Sequence, residues 1–390
     1  MAKVTTALFG DIALLPFQIR QPMRHTLAWV TDLFESQNGT EGAIQLRQTP
    51  KESYSVTIPE KADTKQRGFN TQYGALHRRW GMPVWQEQQY IGNVAAGFST
   101  LDCETENYDF RPGSLALLIS AVNPADNFQV LEVSTVNDGV LLLSNVTTEI
   151  SRAYLLPLRV GRITSQASRK ANGTDVVTDL TFESDEEYLL TPEAPEQFLD
   201  EDIYFTPPIM DGGTINFDVI TRVDTVDYDI GPVTTRAPWL HNRVGRPQNV
   251  VCSTLEEVIA FKLWLFRRAG KYRRYWEPSF EHDFRVMATG AVNSTLLVGR
   301  EGMTDWGTSR THIAIELDDG TWSANTVTFT NVTPITSQIN LGTSLGGIDA
   351  SRLRRISWLG LRRLNADMIE MNWVGSGVMK AGVATIEVAP

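Results

Sequence analysis

Cysteine is scarce in this chain of 390 residues: only Cys103 and Cys252 are present, far apart and without a CxxC or CxxH context. A zinc motif and a disulfide-stapled scaffold are both excluded, because each needs several thiols at short spacing. Histidine is nearly as rare, with five residues. No apolar run approaches the roughly 18–20 residues that span a bilayer, so no membrane segment is expected. The opening Met1-Ala2-Lys3-Val4-Thr5-Thr6 lacks a basic stretch followed by a long apolar one, so no signal peptide is read. The sequons at Asn38, Asn145, Asn172, Asn293 and Asn331 are then loop composition in a protein made in a reducing cytoplasm. Catalytic signatures are missing too. There is no GxSxG, HExxH or GxxxxGKS, and Gly97 and Gly113 stand alone, so no enzyme, cofactor or metal is expected.

What remains is apolar and acidic. Hydrophobic residues make up 42% of the chain and charged residues 21%, enough apolar material for real cores. With 35 basic against 46 acidic residues the net charge is −11, which argues against nucleic acid as a partner. Short β-patterned runs dominate: Leu115–Ser120, Phe128–Val133, Gly139–Leu143, Thr214–Ile220 and Thr311–Leu317. Several alternate apolar and polar residues, the period of a strand with one buried face. Asn137-Asp138-Gly139, Asp211-Gly212-Gly213 and Asp318-Asp319-Gly320 supply residues that adopt positive φ cheaply, so hairpins are expected there.

Two helices are predicted. One lies near 69–80, with Phe69, Tyr73, Leu76 and Trp80 on one stripe and Gly81 as the stop. The other lies near 254–269, opened by Thr254 with Glu257 at capping-box spacing and closed by Arg267-Arg268 and Gly270. Both end in L-x-R-R-x-G, followed by a Pro/Trp segment and then a strand start, Ser99-Thr100-Leu101 or Ser294-Thr295-Leu296. The three landmarks recur in one order about 190 residues apart, which points to a duplicated unit. The expected fold is therefore mainly β: duplicated β-sandwich or barrel-like domains, each with a covering helix. The expected division is a first β-rich part over 1–190, a Pro-rich acidic linker over 191–213, and a second β-rich part over 214–390.

Glu281-His282-Asp283 is the one local grouping that could hold a metal or orient a base, but on an extended segment neighbours point to opposite faces. The acidic runs Asp224–Asp229 and Ser184–Glu187 lack the spacing of a calcium loop and read as solvated rims. Basic residues interleaved with aromatics are more informative. Arg267, Arg268, Tyr272, Arg273, Tyr275 and Trp276 form one such stretch, and Arg352–Arg363 forms another. Arg, Tyr and Trp are the residues enriched at interface hot spots, so the first set is the candidate interface or domain-packing cluster. Single-stranded nucleic acid and sugar rings are the competing ligands for such a stretch.

At these residues the chain resembles the bacteriophage tail-tip and baseplate structural proteins of distal-tail or tail-hub type. Arg24–Asp32, with Asn38-Gly39-Thr40-Glu41-Gly42 and Leu46–Pro50, looks like their opening, although Gly42 stands where a Gln is usual. Phe266–Ser279 is similar to their "ARRGRFxxFWxPS" segment, and Arg362–Trp373 resembles their "RLxSDxIEIxW" strand. The resemblance implies a homo-oligomeric ring, trimer or hexamer, in the virion tail. It implies contacts with tail tube, tape-measure and other tail-tip proteins, and no enzyme activity or cofactor. A carbohydrate- or receptor-binding module is the alternative, which would present Trp85, Trp306 or Trp322 in an exposed groove beside a host-surface glycan.

Overall fold

The computed structural model describes residues 3–15, 20–37, 39–61, 79–124, 126–144, 146–164, 168–172, 175–205, 218–227, 229–239, 243–299, 310–331 and 335–388. Their architecture is mainly β, with large antiparallel sheets and one α-helix.

The first set of strands begins with β1 (Lys3–Thr6), β2 (Gly10–Leu14), β3 (Arg20–Ala28), β4 (Thr31–Glu35) and β5 (Glu41–Gln45). It continues with β6 (Lys51–Lys61), β7 (Arg79–Pro83), β8 (Gln89–Val94), β9 (Thr100–Asp102) and β10 (Leu115–Ser120). It ends with β11 (Phe128–Asn137), β12 (Val140–Leu143), β13 (Ile150–Ile163), β14 (Ser168–Asn172) and β15 (Asp175–Ser184). The second set opens with β16 (Gln197–Phe198), β17 (Glu201–Ile203), β18 (Asp218–Ile220), β19 (Asp224–Val226), β20 (Thr234–Arg236) and β21 (Arg243–Cys252). After the helix α1 (Leu255–Arg268) come β22 (Tyr275–Pro278), β23 (Ala291–Val292), β24 (Thr295–Gly299), β25 (His312–Leu317) and β26 (Trp322–Asn331). The last are β27 (Thr336–Leu341), β28 (Ile348–Asp349), β29 (Leu353–Leu364), β30 (Met368–Gly375) and β31 (Val378–Glu387).

In the first set β13 is the hub. It pairs with β7, β8, β10 and β15, and from β10 the sheet runs on through β11 and β12 to β9. β15 also pairs with β14 and β6, β6 with β3, and β2 lies parallel to β7. In the second set β29 pairs with β22, β25 and β31, and the sheet runs on from β25 through β26 and β27 to β24. β31 also pairs with β30 and β21, β21 with β18, and β17 lies parallel to β22. Two hairpins, β4–β5 and β19–β20, stand apart from these sheets as arms. Among the described residues one pairing joins the sets: β3 runs antiparallel to β30, with Leu27 opposite Ile369 and Met23 opposite Trp373.

The expected hairpins form where the turn chemistry placed them. Gly139 (φ 70°) closes β11–β12 and Gly320 (φ 83°) closes β25–β26; Asp211-Gly212-Gly213 lies outside the described residues. Along β31 Met379, Ala381 and Val383 point into a core while Lys380 and Gly382 point away, the two-residue period of a strand with one covered face. That core is built by both sets, from Met23, Leu27 and Tyr54 to Val258, Leu265 and Trp373. Two further cores are local, one around Leu101, Leu118 and Val133 and the other around Leu296, Ile315 and Val327.

The second expected helix is α1. Thr254 caps it by accepting from the Glu257 N–H, and Glu257 accepts in turn from Ser253 N–H at 2.6 Å. Of the first expected helix, only Arg79 and Trp80 lie among the described residues, and they are strand. Trp80, read as the end of an apolar helical stripe, pairs across β7 with Gly161 of β13 and is 3% exposed. An apolar side chain at helical spacing fits a buried strand equally well, and sheet pairing decides. Of the Pro-rich segment, 197–203 forms β16 and β17, with Phe198 edge-on to Trp276 at 5.7 Å; 206–213 is outside the described residues. No helix of the described residues is long and apolar enough to cross a membrane.

Candidate functional site

The C-terminal end of α1 builds a polar cleft of about 480 Å³. Ala269 and Gly270 both take positive φ (49° and 67°), which ends the helix and turns the chain into Lys271–Arg274 along one wall. Asp200 to Asp202 supply the second wall, and Glu41 and Ala43 of the β4–β5 arm the third.

The floor is a set of carboxylate–guanidinium pairs. Asp202 accepts from Arg267 Nε and Nη2 at 2.8 and 2.9 Å and from Arg268 Nη2. Burial pushes its carboxyl up, but the hydrogen bonds from Arg267 and Gln197 and the Arg268 charge outweigh burial and hold it well below the usual range. Glu41 accepts from Arg363 Nε at 2.6 Å and Nη2 at 3.0 Å, and pairs with Arg243. Burial raises its pKa as well, and again the arginines, led by Arg363, carry it below the ordinary value. Arg243 also reaches Glu35 at 3.1 Å and the Gly39 carbonyl at 2.7 Å. The first arm is therefore clamped onto the second strand set by two arginines. Carboxylates held ionised in this way are ill-suited to donate a proton.

The predicted cluster is divided by this geometry. Arg267, Tyr272 and Arg273 line the cleft. Arg268 is wholly buried beneath it, in contact with Asp202 and with the Arg274 carbonyl at 3.0 Å. Tyr275 and Trp276 do not face it; both are buried in β22, with Trp276 packed at 4.6 Å from the His312 ring. Only Arg273 of the six is exposed. The aromatic half of the stretch packs within the chain, and the basic half lines the cleft or supports it.

A second polar group lies out of solvent, between the two strand sets. Glu52 accepts from Tyr54 Oη at 2.7 Å, lies 3.0 Å from His25 Nε2, and pairs with Arg111 at 3.1 Å. Asp109 pairs with Arg111 and with Arg159 at 2.9 Å, and Lys262 of α1 pairs with Glu87 at 3.1 Å. Burial pushes the Glu52 carboxyl up, yet Arg111 and the His25 contact hold it well below the usual carboxylate range. Glu186, 3.6 Å from Arg159, goes the other way, because burial outweighs its arginines and raises it. Burial also lowers His25, against the pull of Glu52. These groups lock elements together; none of them lines the cleft.

Among the described residues no group of three or more His, Cys, Asp or Glu is arranged to hold a metal. Asp283 is occupied by the Trp358 N–H at 2.8 Å, and His282 is exposed. Cys103 and Cys252 are unbridged thiols that burial pushes up to about 11, which makes them poor nucleophiles. Trp322 stacks on Phe205 at 5.6 Å, Trp85 is half-buried against a core, and Trp306 lies outside the described residues. Sequence reasoning missed Glu41, Asp202, Arg243 and Arg363 as a set. It also passed over Arg159 and Lys262, although each is a lone cation inside an apolar stripe and so legible as a buried charge.

The chain matches no protein-family model and no curated protein.

Proposed function

We propose that this chain is a structural component of a tailed-bacteriophage tail tip or baseplate. In this reading it acts as a ring or hub that joins the tail tube to distal tip proteins and works through surfaces between copies and neighbours. The observation that carries the reading is where its exposed apolar side chains stand. Phe34, Ile44 and Leu46 are 54%, 51% and 64% exposed on or beside the first arm, and Val226, Ile230 and Val233 are 44%, 93% and 52% exposed on the second. Single exposed apolar residues are ordinary, but rows of them along hairpins separate from the main sheets mark contact surfaces. The ionised groups support the same reading, since the buried pairs fix elements and two of the cleft carboxylates, Glu41 and Asp202, are held by arginines. The sequence resemblance supplies the setting.

Negative-stain images of the purified full-length chain test this. The reading expects closed rings; uniformly single particles of one chain at every concentration would contradict it.

A further inference from the structure

We infer that the chain is a tandem pair of one unit, and that copies join head to tail by adding β18 of one copy to the open edge of β14 of the next. The inference rests on the ring reading above and names the surface by which a second copy would be held.

Strand pairing repeats from one set to the other. β1 to β7 and β9 to β15 pair with one another as β16 to β22, β24 to β27 and β29 to β31 do, down to the single parallel contact, β2 with β7 in one set and β17 with β22 in the other. Register carries the match to single residues. Through the β7–β13 and β22–β29 ladders Pro83 falls on Pro278, and through β9–β12 and β24–β27 Thr100 falls on Thr295 and Leu101 on Leu296. Val133 likewise falls on Val327 and Leu143 on Leu341, all four of them buried.

Superposing the pairings exposes one asymmetry. In the chain β3 adds to β30, so that both edges of each are used. Their counterparts are β18 and β14. Among the described residues β18 pairs only with β21, and β14 only with β15. Two open edges thus remain, each where the other unit carries half of an inter-unit ladder. By register Asp218 corresponds to Thr26 and Ser168 to Glu370, and Thr26 and Glu370 stand opposite one another in the β3–β30 ladder. An unpaired edge is a template for another strand, and a contact between unlike surfaces of identical chains propagates into rings when its rotation closes.

Charge agrees with the docking. Within the chain the first arm brings Glu35 and Glu41 onto Arg243 and Arg363. The corresponding positions of the first unit are Lys51 and Arg162, again cations, with side chains 47% and 65% exposed and paired with Glu183 and Asp185. The second arm, which would reach them from the next copy, carries exposed Asp227 and Asp229, beside Asp224, which pairs with Arg222 at 3.5 Å.

The test is a cysteine pair in the full-length chain, Asp218→Cys with Ser168→Cys, oxidised in solution and run without reductant beside both single variants. Covalent dimers and higher closed species are expected in the double variant, and none in the single variants, whose only other thiols are Cys103 and Cys252. The native mass of the unoxidised double variant separates the two ways it can fail. Oligomers that form but do not cross-link would overturn the strand pairing and leave the ring reading standing. A chain that stays monomeric would overturn both.

Discussion

Lys262→Met lowers stability by about 3–5 kcal/mol, the cost of stranding one member of a buried ion pair. Lys262 and Glu87 are 1% and 2% exposed and 3.1 Å apart, and the Lys262 ammonium also faces the Trp373 ring at 5.7 Å. Removing the ammonium leaves the Glu87 carboxylate with the Asp109 N–H at 2.8 Å, in a pocket that already holds Glu52 and Asp109. The double variant Lys262→Met/Glu87→Gln removes both charges and recovers most of the loss, because Gln still accepts from that N–H. Chemical denaturation checks this through the shift in midpoint. Since Lys262 belongs to the second strand set and Glu87 to the first, the single variant should also loosen their shared core, seen as a broader transition. A single variant as stable as the parent would contradict the buried pair.

Asp202→Asn carries the second large effect, again about 3–5 kcal/mol, because it strands the wholly buried Arg268. Arg267 pairs with the same carboxylate but its side chain is 20% exposed, so Arg267→Ala costs far less, about 1 kcal/mol. The contrast between neighbouring arginines is the diagnostic feature. Thermal unfolding of the two variants side by side measures it, and equal losses would show that burial does not separate them. Because Asp202 sits in β17, which lies parallel to β22, the Asn variant should also weaken docking of the 197–203 hairpin.

Strands were legible where a short apolar run was bounded by turn chemistry, even where both faces are buried. Leu115–Ser120 is β10 as read, and Thr311–Leu317 is β25 to within a residue. The α1 cap was legible because Thr254 and Glu257 act through a local hydrogen bond. Trp80 was misread, since a buried strand and a helical stripe both place large apolar residues at wide spacing. The clamps were not legible at all. Arg363 and Glu41 lie 322 positions apart and Arg243 and Glu41 lie 202, so no local pattern connects them. Arg267 and Arg268 stood out by composition, but their shared partner Asp202 is set by the parallel β17–β22 contact, which only the folded sheet reveals.

Native mass of the chain at micromolar concentration decides whether copies assemble through their own surfaces. Three copies, closing a ring of six like units, is the predicted result. A single copy that persists as the concentration rises would contradict the ring, and six copies would contradict a ring of six units built from two per chain.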